Sequence, residues 1–179
     1  MRTLFAVAIA VSWITPAAAT TMTPLDLAGL TSRAESVVAG KVVDVHAAWT
    51  SDHEAIYTDV TILVDRVLAG SVAAGDRVVV RREGGTVDGI GMKVYGAPTF
   101  TKDEDVVVFL EKRGASRYVV GMAQGKLQLL TDQKGVRRLR RDLSEVSFTG
   151  PAPAAERAMS TLDDLAAAVG RLSRGKKAP

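Results

Sequence analysis

The chain has 179 residues, of which 47% are hydrophobic and 24% charged, and it contains no cysteine. These values fit one folded domain and exclude a disulfide scaffold or a zinc site built on cysteines. The formal net charge of +3, from 23 Lys and Arg against 20 Asp and Glu, is too small to require a nucleic-acid partner.

The first 19 residues have the organisation of a secretory signal peptide. Arg2 provides a positive start, residues 4–14 form a nearly continuous apolar stretch, and residues 17–19 are small alanines. An uncleaved anchor helix is the alternative, but the stretch is shorter than the roughly 20 residues that span a bilayer. We therefore predict cleavage between Ala19 and Thr20, a secreted or periplasmic location, and no membrane span in the mature chain.

A helix and a series of short strands are predicted after the leader. Thr23 is the expected N-cap of the helix, with Pro24 at its first position. The later segments either alternate apolar and polar residues or form apolar runs between charges, as strands do. Strands are expected at residues 36–48, 56–68, 77–81, 106–110, 118–122, 126–131 and 136–139, with a further short strand at residues 92–95 inside an ordered loop.

Two positions predict irregularities in the long strands. In the second strand Val60, Ile62 and Val64 share one parity, and Val67 then falls on the other parity. This shift predicts a bulge near Asp65 and Arg66. Gly40 predicts a bend or a close approach of two backbones in the first strand. The short spacing of about seven strands predicts a mainly β domain, as a small barrel or sandwich.

Residues 151–179 are predicted to form a closing helix and a basic tail, after a β domain that covers residues 20–150 with its leading helix. Thr161 and Asp164 supply the chemistry of an N-cap. We expect this amphipathic helix to pack on the β domain. Its apolar face is formed by Leu162, Leu165, Ala166, Val169 and Leu172.

The segment from residue 84 to residue 100, here called the glycine-rich segment, follows no regular period and is the candidate ligand-binding site. It also carries apolar residues, which predicts an ordered loop. The candidate ligand-binding residues are Asp88, Lys93, Tyr95 and Phe100. The residues expected to shape the loop are Gly84, Gly85, Gly89, Gly91, Gly96 and Pro98. Turn architecture without a binding role is the alternative.

The sequence contains no recognisable catalytic or cofactor-binding pattern. His46 and His53 are the only histidines, and neither belongs to a zinc-binding spacing or to a nucleophile motif. The glycine-rich segment lacks the order of a nucleotide-binding loop. Thr20, as a new N-terminus, is a generic candidate nucleophile. We therefore predict no cofactor, no metal and no enzymatic activity.

The densest basic run, residues 137–141, has two interpretations. Four arginines surround Leu139 there, and such a run either contacts phosphates or protects an exposed edge strand by like charge. We favour the edge strand. A groove that binds single-stranded nucleic acid requires aromatic residues interleaved with basic ones, and here the aromatic residues are few and not interleaved, so we predict no nucleic-acid partner.

The order of the elements resembles a family of uncharacterised secreted bacterial proteins over residues 24–141. The stretches that carry this resemblance are residues 36–42, 56–62, 67–70, 84–91, 96–100, 103–110 and 120–126. The same order is similar, more remotely, to the netrin-like domain of the tissue inhibitors of metalloproteinases. That resemblance implies a five-stranded barrel of the oligonucleotide/oligosaccharide-binding (OB) type, with flanking helices and a rim of loops suited to binding.

The absence of cysteine limits what this resemblance implies. Those inhibitors chelate the zinc of their target through an N-terminal cysteine, so their mechanism does not extend to this chain. We predict a non-catalytic binding module for an extracellular or periplasmic macromolecule, with the glycine-rich segment at its rim. The alternative is a cysteine-free protease inhibitor or protease-associated protein.

Overall fold

A computed structural model describes residues 20–151 and 160–175 of the chain. The predicted leader, residues 1–19, lies outside the described residues, as do residues 152–159 and the end of the basic tail. The two α-helices are α1 (Leu27–Arg33) and α2 (Leu162–Arg174), and a 3-10 helix spans Met122–Gly125. The strands are β1 (Thr20–Met22), β2 (Ser36–Trp49), β3 (Ile56–Ala69), β4 (Arg77–Glu83), β5 (Gly85–Val87), β6 (Ile90–Met92), β7 (Asp105–Arg113), β8 (Ser116–Val119), β9 (Lys126–Thr131), β10 (Arg137–Arg140) and β11 (Val146–Phe148).

Seven strands form one sheet, in the order β10-β9-β7-β2-β3-β4-β8. Neighbours in this order are antiparallel except β4 and β8, which pair in parallel through Val80 and Arg117. Strand β8 also pairs with β7, from Leu110 opposite Val119 onward. The pairings therefore run from β7 through β2, β3, β4 and β8 back to β7. The prediction of a mainly β fold is confirmed.

The long hairpin β2–β3 contains the predicted bulge. Ala39 lies opposite Arg66, but the next residue, Gly40, lies opposite Val64, so Asp65 is the extra residue of β3. Gly40 is also the predicted close approach, because a Cβ atom there would lie 2.2 Å from the carbonyl oxygen of Leu63. Both irregularities follow from the sequence.

Strand β7 is buried on both faces, as its apolar run predicts. Val106, Val108 and Leu110 belong to a cluster enclosed by β2, β3, β4 and β8. Val107 and Phe109 belong to a second cluster, which includes residues of both helices. Each of these five side chains has no exposed surface. The helices therefore cover the outer face of the sheet on this side.

The closing helix α2 has the predicted N-cap and packs against the second cluster through Leu165 and Val169. The hydroxyl oxygen of Thr161 accepts a hydrogen bond from the Asp164 backbone N–H at 3.2 Å. The buried face differs slightly from the prediction, because Ala168 is buried while Leu172 is 39% exposed.

The leading helix begins later than predicted. Asp26 is its N-cap and accepts a hydrogen bond from the Gly29 backbone N–H at 2.7 Å, so Thr23 and Pro24 precede the helix. Gln124 explains the difference. Its side chain donates to the carbonyl oxygen of Thr23 and accepts from the Leu25 backbone N–H, which holds this stretch against the 3-10 helix.

Three further elements differ from the predictions. The strand expected at residues 118–122 ends at Val119, because Gly121 is left-handed and a 3-10 helix follows. The strand expected at residues 92–95 is replaced by the hairpin β5–β6, which ends at Met92. Strands β1 and β11 pair in parallel, from Thr20 opposite Val146 onward, although no element was predicted at either place.

Candidate functional site

The glycine-rich segment forms a hairpin and then returns to the core. The hairpin β5–β6 turns at Asp88 and Gly89, both with positive φ. Gly84, with φ of +84°, starts it at a point where a Cβ atom would lie 2.7 Å from the Met92 carbonyl oxygen. Gly96, with φ of +77°, is buried where a Cβ atom would lie 2.5 Å from Met22 Cε. The prediction of an ordered loop is consistent with these tight anchors.

The remaining loop residues differ in what surrounds them. Pro98 is buried with Ala97 at the return to the core. Gly85 has positive φ and lies beside Thr58, whereas Gly89 lies in open space. Gly91 does not have positive φ, and a Cβ atom there would meet only Thr86 Oγ1, at 3.7 Å. The backbone conformation therefore favours glycine at most of these positions and not at Gly91.

The structure brings together two of the four candidate ligand-binding residues. The Lys93 ammonium lies 4.7 Å from the centre of the Tyr95 ring, and both side chains are exposed. Asp88 is exposed at the tip of the hairpin. Phe100 is half-buried against the cluster that contains Val106, Val108 and Leu110 inside the circuit of strands, here called the valine cluster, so its ring faces the core. Lys93 and Tyr95 therefore form the exposed polar face of the segment.

This face is tied to β1 and to the chain before β11. Lys93 Nζ lies 2.6 Å from Glu145 Oε1, and this hydrogen bond raises the pKa of Lys93. The carbonyl oxygen of Tyr95 accepts a hydrogen bond from Thr20 Oγ1 at 2.5 Å. The parallel pair β1–β11 thus supports the segment from one side, which gives these unpredicted strands a role at the site.

Three clefts meet at the point where the segment returns to the core, and Ala97 lines all of them. The first, of about 90 Å³, lies toward Asp142 and Lys126. The second, of about 410 Å³, lies beside the β5–β6 hairpin. The third, of about 150 Å³, lies between the segment and strands β4 and β8, and we call it the arginine cleft.

The arginine cleft takes its name from Arg81, Arg82 and Arg113, and two of these cations have acidic partners. Arg81 donates from Nε and Nη2 to the two carboxylate oxygens of Asp59, at 2.8 and 2.7 Å. Arg113 pairs with Glu111 and lies over the ring of Tyr118. The apolar wall of the cleft consists of Ala97, Pro98, Val119 and Met122.

Arg82 differs from its two neighbours. It has the same parity on β4 as the core residues Val78 and Val80, so it is at an inward-facing position at the end of the strand. Its Nη1 donates to the Glu83 carbonyl oxygen at 3.1 Å, while its buried Nε has no hydrogen-bond partner among the described residues. Burial lowers the pKa of the Arg82 guanidinium.

Arg82 was not among the predicted site residues, although its strand parity is visible in the sequence. Val78, Val80 and Arg82 share one parity in a segment that was correctly predicted as a strand. A basic residue on the core parity is unusual, because burying a charge without a partner is costly. The prediction ended the strand at Arg81 and therefore overlooked the next inward position.

The other candidate residues of the sequence analysis are dispersed. His46 is exposed on β2, and His53 lies in the β2–β3 turn, where its ring centre is 6.1 Å from that of Trp49. No three metal-ligating side chains come together among residues 20–151 and 160–175. Strand β10, with the basic run, lies at one end of the sheet, as predicted for an edge strand.

No helix within the described ranges has the length and the apolar character that crossing a membrane requires. No protein-family model matches this chain. No curated protein matches it either. The function is therefore inferred from the geometry of the segment and its clefts.

Proposed function

We propose that this protein is a secreted or periplasmic binding module without catalytic chemistry, which holds its ligand at the glycine-rich segment. The observation that carries the proposal is that the segment is fixed at both ends and exposed between them. Gly84 and Gly96 contact neighbouring chain closely, while Asp88, Lys93 and Tyr95 are exposed. A loop held in this way on a rigid sheet is a common form of binding site.

The strand pairings support a more specific architecture. A circuit of five strands, β7-β2-β3-β4-β8, that returns to its start is expected of a small barrel. A parallel β4–β8 contact within that circuit fits an OB-type barrel of the netrin-like kind. In this architecture the glycine-rich segment lies at the mouth of the barrel, because it follows the end of β4 and covers the inward position of Arg82.

The exposed surface of the segment suits a protein partner. Ile90 is 56% exposed at the hairpin and Tyr95 is 39% exposed, so apolar and aromatic surface lies beside the charges of Asp88 and Lys93. Aromatic anchors surrounded by polar groups are typical of protein interfaces. The ligand in this proposal is an extracellular or periplasmic macromolecule. A secreted protease is one such partner, and in that case the module acts as an inhibitor or accessory protein.

Affinity capture with matched variants tests the proposal. Protein that starts at Thr20 is immobilised, and partners from the native secretome are identified and quantified by mass spectrometry. The triple variant Asp88→Ala, Lys93→Ala, Tyr95→Ala is expected to melt close to the parent temperature and to lose at least tenfold in capture. A matched control changes three exposed residues far from the segment, Arg77→Ala at the start of β4 and Gln133→Ala and Lys134→Ala in the β9–β10 turn.

Two outcomes contradict the proposal. In the first, the triple variant and the control capture the same partners in the same amounts as the parent. In the second, the triple variant unfolds, but its folded fraction captures as the parent does, which makes the segment purely architectural. If added salt abolishes capture by the parent and by the triple variant alike, binding is electrostatic and does not depend on the segment. The basic strand β10 is then the surface to test.

A further inference from the structure

Within the part of the chain that the structure describes, Arg82 lacks the side-chain hydrogen-bond partner that three other arginines have. Arg81 uses its Nε and Nη2 atoms to bind Asp59, Arg113 uses the same two atoms to bind Glu111, and Arg140 uses them to bind Gln128. At Arg82 neither atom has a hydrogen-bond partner among the described residues, and no carboxylate lies within salt-bridge distance there. This edge of the guanidinium is the one that binds a carboxylate through two parallel hydrogen bonds.

Keeping a cation in this position destabilises the fold. Arg82 is half-buried at the inward end of β4, beside Thr58, which is itself 1% exposed. Loss of water around a charge is costly unless an opposite charge replaces it, and no acidic side chain of the described residues does so. A buried polar group without a partner requires an explanation, and a ligand that supplies the missing partner is one.

The walls of the arginine cleft define the group that such a ligand brings. Arg81 and Arg113 are already paired with acids, so Arg82 is the cation of the cleft that has no acidic partner among the described residues. Glu83 also lines the cleft and disfavours a group with several negative charges, such as a phosphate. The volume of about 150 Å³ matches a cavity that holds one benzene-sized group, and the rest of the wall is largely apolar.

We propose that Arg82 binds a carboxylate of the ligand and that the arginine cleft holds an apolar group attached to it. This inference rests on the proposed binding function and names the chemistry of its ligand. Because Nε has less than 1 Å² of exposed surface, binding requires the guanidinium to turn toward the cleft. The hydrogen bond that restrains this turn is the one from Nη1 to the Glu83 carbonyl oxygen.

Titration with a minimal acid and its neutral analogue tests the chemistry. Sodium benzoate and benzamide have the same shape, and only benzoate carries the charge. In ¹⁵N NMR spectra of the full mature protein, benzoate is expected to shift the Nε–H signal of Arg82 and the amide signals of Tyr118 and Val119. The shifts should saturate with an apparent Kd on the order of 1 mM. Benzamide should bind at least tenfold more weakly.

Variants locate the effect at Arg82. Arg82→Met should remove saturable benzoate binding, and Arg82→Lys should weaken it at least tenfold, because an ammonium cannot form two parallel hydrogen bonds. Arg77→Met is the control, since it removes an exposed arginine from the same strand. Without ligand, Arg82→Met should raise the melting temperature by about 2 °C or more, because it removes the unpaired charge.

Two peptides distinguish the sources of the carboxylate. One ends in phenylalanine with a free carboxylate, and the other ends in phenylalanine amide. Binding of the peptide acid assigns the cleft to the C-terminus of a protein, whereas binding of benzoate alone assigns it to a small organic acid. Both results support the proposal. Equal binding of acids and amides, or unchanged benzoate binding by Arg82→Met, overturns it.

These experiments distinguish failure of the carboxylate inference from failure of the proposed function. If secretome capture depends on Asp88, Lys93 and Tyr95 but benzoate does not bind, the carboxylate inference fails and the binding module stands. If benzoate binds at Arg82 and capture does not depend on the segment, the cleft is an anion site and the proposed macromolecular function fails.

Discussion

Lys126 Nζ lies 2.5 Å from Glu104 Oε1, and the two side chains are only 8% and 14% exposed. The ammonium also lies 5.1 Å from the centre of the Phe100 ring. The second oxygen of Glu104 accepts a hydrogen bond from the Thr101 backbone N–H at 3.1 Å. This buried ion pair therefore fixes the chain where the glycine-rich segment ends and β7 begins.

Breaking this pair from one side should destabilise the protein strongly. Glu104→Gln leaves the Lys126 ammonium buried without an opposite charge, which is expected to cost about 3 kcal/mol. The double variant Glu104→Gln, Lys126→Met should recover most of that loss, because it removes the charge as well. Denaturant unfolding measures both values. If the double variant is as unstable as Glu104→Gln, the loss does not come from an uncompensated charge.

Lys126 and Lys41 should titrate on opposite sides of the ordinary lysine pKa of 10.5. Burial lowers the pKa of Lys126, while a hydrogen bond to Asp105 raises the pKa of Lys41. Between the folded pKa of Lys126 and 10.5 the unfolded chain binds more protons, so the contribution of Lys126 to stability rises with pH in this window. Side-chain NMR of the two lysines measures the order. Simultaneous titration would show that Lys126 is hydrated.

An acid in the centre of β7 should unfold the domain. Val108 has no exposed surface, so Val108→Asp places an unpaired charge in the valine cluster. The cost should be several kcal/mol, against a typical total stability of about 5–15 kcal/mol. Val79→Asp on β4 is the control, because Val79 is 47% exposed. Thermal melting followed by circular dichroism compares them, and similar melting temperatures for both variants would refute the buried position.

The exported protein should begin at Thr20. The Thr20 backbone N–H donates to the Glu145 carbonyl oxygen at 3.1 Å, and this residue is the first of the parallel strand β1. A chain cut after Ala19 therefore keeps all the pairings of β1 with β11 that the structure describes, from Thr20 to Met22. N-terminal mass spectrometry of the exported form gives the answer directly. Intact Met1 in a membrane fraction would mean that the leader remains as an anchor.

The sequence predicted most of the strands because their signals are local. Alternation along β3 and β4 and the apolar run of β7 each reflect which face of one strand is buried. The bulge at Asp65 was also predicted, since it changes the parity of the apolar residues within a single strand. These features require no knowledge of which segments pair.

The errors lie where distant residues decide the local structure. Thr23 and Pro24 have the order of a helix start, but a hydrogen bond from Gln124, about 100 residues away, keeps that stretch outside the helix. Strands β1 and β11 are three residues each and owe their form to one another. The cleft at Arg82 was not predictable for a similar reason, because it is made by β8 and by the return of the segment at Ala97.

Hydrogen exchange of the complex with a captured partner tests the central proposal most directly. Amide exchange is compared between the free protein and the complex, residue by residue. The proposal predicts slower exchange in residues 84–100 and in the supporting residues 142–146, with little change in the exposed β9–β10 turn. Slower exchange that is confined to β10, or to the β9–β10 turn, would contradict a binding site at the glycine-rich segment.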